Sequence, residues 1–156
     1  MSTEKSLYAN LDLQFAIQAN NVEEVQKQLD RGVSANAANQ AGQHVLCFAI
    51  QSLQQEVAIA LIAGGADIHS IFQDNGCNPL QFAAKKGLPK VVLALLEAGV
   101  DPHSKSIAGR DARDFAIEYG NHPVVAILDA LEIQKIHERV GIPGFGDAAK
   151  RKGPRP

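Results

Sequence analysis

The sequence predicts an all-α repeat solenoid: four helix-turn-helix units joined by projecting loops or hairpins, ending in an extended C-terminal helix and a tail. Three observations carry this. The dipeptide Phe-Ala recurs as Phe15-Ala16, Phe48-Ala49, Phe82-Ala83 and Phe115-Ala116 at one near-constant step. Three further series keep that step: Gly32, Gly65 and Gly99; Gly42, Gly76 and Gly109; Ser34, Asp67 and Asp101. The third unit, NGCNPLQFAAKKGLPKVVLALLEAGVDPHS over residues 75–104, holds start and stop signals for two short helices. A fixed period of this length marks stacked units, each burying its apolar face only against its neighbours.

The units divide at about residues 7–38, 39–71, 72–105 and 106–140, so that residues 1–140 form a single domain followed by a Gly/Pro-rich basic tail, residues 141–156. In the first unit Asn20-Asn21 stands at the turn between helices, a place Asn tolerates because it accepts left-handed geometry. The second places Leu53 at the corresponding turn, which predicts strain there. The third is the clearest. Asn78 is suited to accept an orphan backbone N–H at a helix start, and Pro79 follows where its missing donor costs nothing. Leu80, Phe82, Ala83 and Ala84 form an apolar stripe, and Gly87 supplies the left-handed stop. A second helix from Pro89 to Ala98 buries Val91, Val92, Leu95 and Leu96 at three-and-four spacing and ends at Gly99. The segment after Gly99 is too short and turn-rich for another helix. In the fourth unit the second helix runs on from Pro123 to Val140, with Ile127, Leu131, Ile133, Ile136 and Val140 apolar. That is too long for an ordinary unit and suggests a cap over the open end of the stack.

Composition adds exclusions. The chain has 156 residues, enough for one core, and its only two cysteines, Cys47 and Cys77, lack CxxC or CxxH spacing. They read as reduced thiols. A polar N-terminus and the lack of a long apolar run predict no membrane span and a cytoplasmic location. Charge is uneven: residues 1–132 hold 9 Lys/Arg against 15 Asp/Glu, net −6, whereas residues 133–156 hold 6 against 2, net +4.

The repeating unit, which reads G-x-N-P-L-x-x-A-A-x-x-G, then Val-Val, Leu-Leu and G-x-D, resembles the ankyrin repeat in pattern and in period, with four units over residues 7–131. Departures from the family pattern are plain. Gly42 to Leu46 lacks the Thr-Pro start, Arg113 and Asp114 replace a Leu-His pair, and Asp129 replaces a core leucine. Such polar exchanges in a last unit suit a face that meets water. The Phe ladder falls on a slot that holds buried leucine in the family, so all four rings are expected in the core.

The resemblance implies a non-enzymatic protein–protein interaction module whose concave groove binds a partner protein. Carried over by position, the groove-facing residues are Gln18-Ala19, Gln51-Ser52, Lys85-Lys86 and Glu118-Tyr119. Loop tips would add Gln40, Gln43, Ile71, Phe72, Gln73, Asn75, Cys77, Ile107 and Arg110. Ile71 and Phe72 need separate weighing, because their loop is one residue longer than its counterparts. Either they fold back onto a neighbouring loop or they are exposed anchors, the kind of residue that carries binding energy. In the tail, Ile142 and Phe145 are candidate docking anchors beside a basic cluster from Lys150 to Arg155.

Other classes find little support. A nucleic-acid track needs a continuous basic stripe, and only Lys85, Lys86, Lys105 and Arg110 approach one. The motifs of phosphate loops, zinc proteases and serine hydrolases are missing. The stretches DIHS (residues 67–70) and DPHS (residues 101–104) set Asp, His and Ser together twice, one repeat apart. A triad draws its members from separate elements that converge in space, so these stretches read as echoes of the repeat, with His69 and His103 in structural roles. No cofactor, metal or small-molecule substrate is expected, and a monomer is the default. Two functional readings remain: an adaptor or scaffold, and a dedicated inhibitor that occludes a toxin or hydrolase as an immunity or self-protection factor.

Overall fold

The computed structural model describes residues 2–39, 42–72 and 76–141, with side chains from Asn10 onward. Eight helices among the described residues pair in chain order: α1 (Ser2–Gln18) with α2 (Val22–Asp30), α3 (Val45–Gln51) with α4 (Gln55–Ala63), α5 (Pro79–Lys86) with α6 (Pro89–Glu97), and α7 (Ala112–Glu118) with α8 (His122–Val140). First helices stack on first helices, α1 on α3 on α5 on α7, and second on second, α2 on α4 on α6 on α8. This is an all-α repeat solenoid. One continuous core runs its length, with Leu13, Ile17, Ile50, Val57, Leu61, Leu80, Val91, Val92, Leu95 and Val124 fully buried.

Each element follows from its local chemistry. At α5 the Asn78 side chain accepts the Gln81 N–H at 2.9 Å while Gln81 Oε1 accepts the Asn78 N–H at 2.9 Å, a reciprocal cap. Asp111 and Asp114 repeat that arrangement at α7. The turn between paired helices needs one left-handed residue, supplied by Asn20 (φ 52°), Leu53 (φ 59°), Gly87 (φ 70°) and Gly120 (φ 69°) in successive units. Leu53 therefore does adopt the strained conformation, which costs a branched residue about 1–2 kcal/mol.

Between units the chain makes a short finger closed at its base by a backbone bond: Asn39 N to Gln43 O at 2.8 Å, Phe72 N to Cys77 O at 2.9 Å, and Ser106 N to Arg110 O at 2.8 Å. The second finger is the longer by one residue. Fingers are followed or preceded by side chains that lock one unit to the next. Asn36 accepts the Asp67 N–H at 2.6 Å, Lys90 pairs with Glu56 at 2.9 Å, and the Asn121 amide donates to Ala84 O and Lys85 O at 2.7 and 3.0 Å.

Two expectations about the core need correction. The Phe ladder is not uniformly buried: Phe82 and Phe115 are, Phe48 is half-buried, and Phe15 is 64% exposed. The reason lies in what covers each ring. Phe82 is covered by Phe72 of the finger before it and Phe115 by Arg110 of its own preceding finger, whereas α1 runs straight back to Ser2 with no finger ahead of Phe15. The C-terminal extension does not act as a cap that buries its apolar side chains. Val124 and Leu128 are buried, but Ile133, Ile136 and Val140 are half or more exposed, because the last turns of α8 run past the helices that could cover them. The polar residues of the last unit pair with each other instead, Arg113 Nε meeting Asp129 Oδ1 at 2.6 Å on an exposed face.

Candidate protein-binding groove

The groove is built by a contact that recurs at the repeat step. In two units a residue at the base of the finger touches the last turn of the helix that follows it: Gln43 Nε2 donates to Gln51 Oε1 at 2.8 Å, and Arg110 pairs with Glu118. Fingers and first helices thus form one surface. Gln18, Gln51, Ser52, Lys86, Glu118, Tyr119, Arg110, Ile71 and Ile107 are exposed on the chain, and Gln43 and Lys85 are half-buried. Cys77 is buried, and burial pushes its thiol up against the opposing effect of Lys85, so it contributes packing rather than reactivity. Gln40, Gln73 and Asn75, like Ile142 and Phe145 of the tail, lie outside the described residues.

Phe72 is not an exposed anchor. It is 2% exposed, with its ring 5.8 Å from Phe82 in an edge-on contact and 6.4 Å from His44. Its slot in the neighbouring fingers holds Asn39 or Ser106, whose side-chain oxygens accept the N–H of Gln43 and Arg110 at 2.9 and 3.3 Å and close the finger. Phenylalanine has no such acceptor, and its apolar ring is driven inward. Ile71, one residue earlier, stays half exposed, and Ile107 is 83% exposed although its Cδ1 lies close over Gly76.

Charge on the surface is patterned. Arg110 is neutralised by Glu118, and Lys105 by Asp111 at 2.8 Å and Asp114 at 3.6 Å. Lys85 and Lys86 lie over aromatic rings, 5.1 Å from the Tyr119 centroid and 5.5 Å from that of Phe82, and neither meets a carboxylate among the described residues. Between the first and second units a shallow cleft of about 230 Å³, counting its open mouth, is lined by Gln14, Ile17, Gln18, Asn39, Val45 and Phe48.

The aspartates of DIHS and DPHS are spent on the backbone. Asp67 Oδ1 accepts from His69 N and Ser70 N at 2.9 and 3.2 Å, and Asp101 Oδ1 from His103 N at 3.0 Å. Ser34 does the same for Asn36 N at 3.1 Å, which explains the Ser/Asp/Asp series. Ser104 accepts the Asn78 amide at 2.7 Å, its carbonyl accepts that of buried Gln81 at 2.7 Å, and His103 Nε2 stands 2.6 Å from Glu132 of α8. Among the described residues no three His, Cys, Asp or Glu side chains gather as metal ligands would, and no helix is long and apolar enough to cross a membrane.

Sequence reasoning missed three features: the cleft at Phe48, the finger-to-helix link, and the pairing of Arg113 with Asp129. The link had a signal, since Gln43/Gln51 and Arg110/Glu118 are both complementary pairs at one shared spacing.

Comparison with known proteins agrees with this architecture. The model for ankyrin repeats (3 copies) matches residues 13–106, leaving the fourth helix pair, α7 and α8, beyond the match. An ankyrin repeat-containing protein of Treponema pallidum is 33% identical over 108 residues, 69% of this chain and 36% of that protein. The tyrosine-protein kinase HTK16 of Hydra vulgaris is 31% identical over 104 residues, 65% of this chain and 14% of the kinase. The nuclear factor NF-kappa-B p105 subunit of Gallus gallus is 34% identical over 95 residues, 58% of this chain and 9% of that protein. In each relative the similarity is confined to a minor part of its length. With the period, the paired helices, the fingers and the family match in agreement, the chain belongs to the ankyrin-repeat family, whose repeats are generally protein–protein interaction modules.

Proposed function

We propose that the protein is a non-catalytic adaptor or scaffold that holds a partner protein along the groove formed by its fingers and first helices. The observation that carries this reading is the repeated finger-to-helix link. It ties the first finger to the end of α3 and the third finger to the end of α7, on a surface where Gln51, Ser52, Lys86, Arg110, Glu118 and Tyr119 stand exposed. Tyr and Arg are residue types enriched among binding hot spots, and a rigid surface loses little entropy on association.

Capture from native lysate on immobilised full-length chain, with the double variant Lys86→Glu/Tyr119→Ala run in parallel, tests it. Both positions are exposed, so the variant should fold normally while its specifically captured partner falls at least tenfold. Undiminished capture would contradict the assignment of the groove. If the captured partner is an enzyme, retention of its activity in the complex is the result expected of an adaptor, and its loss would mark an inhibitor instead.

A further inference from the structure

The cleft at Phe48 has a counterpart within the molecule. Advancing its lining by one repeat converts Gln14, Ile17, Gln18, Asn39, Val45 and Phe48 into Cys47, Ile50, Gln51, Phe72, Pro79 and Phe82. At that next junction the Phe72 ring is buried against Phe82. At the first junction the same slot holds the small polar Asn39, and Phe48 is left half-buried at the cleft wall. One repeat therefore fills with its own aromatic ring a place that its neighbour leaves open. The cleft is an open notch whose enclosed space is far smaller than the pockets of about 300–1,000 Å³ that enclose small-molecule ligands. Its apolar wall of Ile17, Val45 and Phe48 and its rim of Gln14, Gln18 and Asn39 amides suit a side chain laid across its mouth and flanked by a peptide backbone.

Further along, Lys85 and Lys86 are the groove cations without a carboxylate among the described residues, since Arg110 and Lys105 are already paired. Packed helices lie about 8–10 Å apart, so the end of α5 stands roughly 15 Å from the cleft between α1 and α3. An extended chain rises about 3.3 Å per residue and covers that span in four or five residues.

We propose, resting on the groove reading above, that the groove takes an extended partner segment with an aromatic or large aliphatic side chain in the Phe48 cleft. Four or five residues away, that segment places an acidic side chain against Lys85 and Lys86. The apolar residue replaces at the first junction what Phe72 supplies at the second, and the carboxylate pairs with the two lysines that meet none among the described residues.

The test is selection of phage-displayed random dodecapeptides on the folded full-length chain, followed by fluorescence-anisotropy titration of the selected peptides. The expected product is a family with an apolar and an acidic residue four or five positions apart. Lys85→Glu/Lys86→Glu should weaken it at least tenfold, and replacing the peptide's acid by Lys should restore binding to that variant. Asn39→Phe, which supplies the missing ring internally, should weaken it at least tenfold while melting no lower than the parent. If Asn39→Phe does not fold, Gln18→Trp at the exposed rim serves the same purpose. Peptides that compete for the groove yet show neither preference would overturn this inference and leave the groove reading intact. Selected peptides indifferent to Lys86→Glu/Tyr119→Ala as well, or no selected peptide at all, would overturn both.

Discussion

The second and third units share a backbone and differ in almost every device that ought to specify it. The third has a reciprocal cap at Asn78 and Gln81, Pro79 at the first helical position, and Gly87 in the left-handed turn. The second begins α3 at His44 with no side-chain cap bond and holds Leu53 in that same left-handed conformation. Both nevertheless make paired helices of similar length, α3 with α4 and α5 with α6. Burial explains this: Val45, Leu46, Ala49, Ile50, Val57 and Leu61 fill the second unit as completely as Leu80, Ala83, Val91 and Leu95 fill the third. In a stack, the apolar faces of the neighbours impose the geometry, and caps and turn residues adjust its stability.

The sharpest way to break the comparison is to remove what fills the junctions. Phe82→Ala and Phe72→Ala should each lower stability by about 3–5 kcal/mol, whereas Phe15→Ala at the uncovered end should cost less than about 1 kcal/mol. Urea unfolding of the three variants checks this, and equal losses at Phe15 and Phe82 would refute the role assigned to the fingers.

Next come the turns. In Gly87→Ala a new Cβ would stand 2.5 Å from Asn121 Oδ1 in a residue already at φ 70°, pressing on the amide that holds Ala84 O and Lys85 O. A loss of about 2–3 kcal/mol is expected from left-handed strain and weakened hydrogen bonds. Leu53→Gly should act in the opposite direction, relieving strain at an exposed site and stabilising by about 0.5–1 kcal/mol after the entropy of the added glycine. Thermal melts of both variants would show whether the second unit in fact tolerates a strained turn.

A smaller effect is expected at the third unit's cap. Asn78→Ala removes the acceptor for Gln81 N and the donor to Ser104 Oγ, and should cost about 1–2 kcal/mol by denaturant titration.

The least effect is expected at the exposed ion pair of the last unit. The hydrogen bond from Arg113 holds the Asp129 carboxyl below its ordinary value. A lowered folded pKa means that the pair's contribution is present above the unfolded aspartate range and is lost as pH falls through the folded value. Carboxyl-carbon NMR titration should place Asp129 below an ordinary aspartate and return it to the ordinary range in Arg113→Ala. At Asp111, burial alone would raise the carboxyl, but Lys105 and the Asp114 backbone N–H outweigh it and hold the group low.

These contrasts also explain what could be read from residues alone. The period, the helix limits at Pro79, Gly87 and Pro89, the strain at Leu53 and the extra residue before Cys77 all follow from spacing and local chemistry. Phe15 did not, because a repeated letter carries no information about whether its neighbour exists, and burial depends on the neighbour. Phe72 stood between two outcomes until the place of its ring between His44 and Phe82 was known. The groove was reached only through slots inherited from the family pattern, and the cleft at Phe48 was missed because it is a space left between α1 and the finger and helix of the next unit. Where Arg113 and Asp129 were expected merely to face water, the structure pairs them across α7 and α8.

The central claim is that the fingers and first helices form the partner-binding surface. Amide hydrogen exchange of the full chain, alone and with its captured partner, tests it most directly. New protection should gather at residues 43–44, 51–53, 85–87, 106–110 and 118–120. Protection confined to the exposed sides of α2, α4 and α6, or to the end of α8, would contradict it.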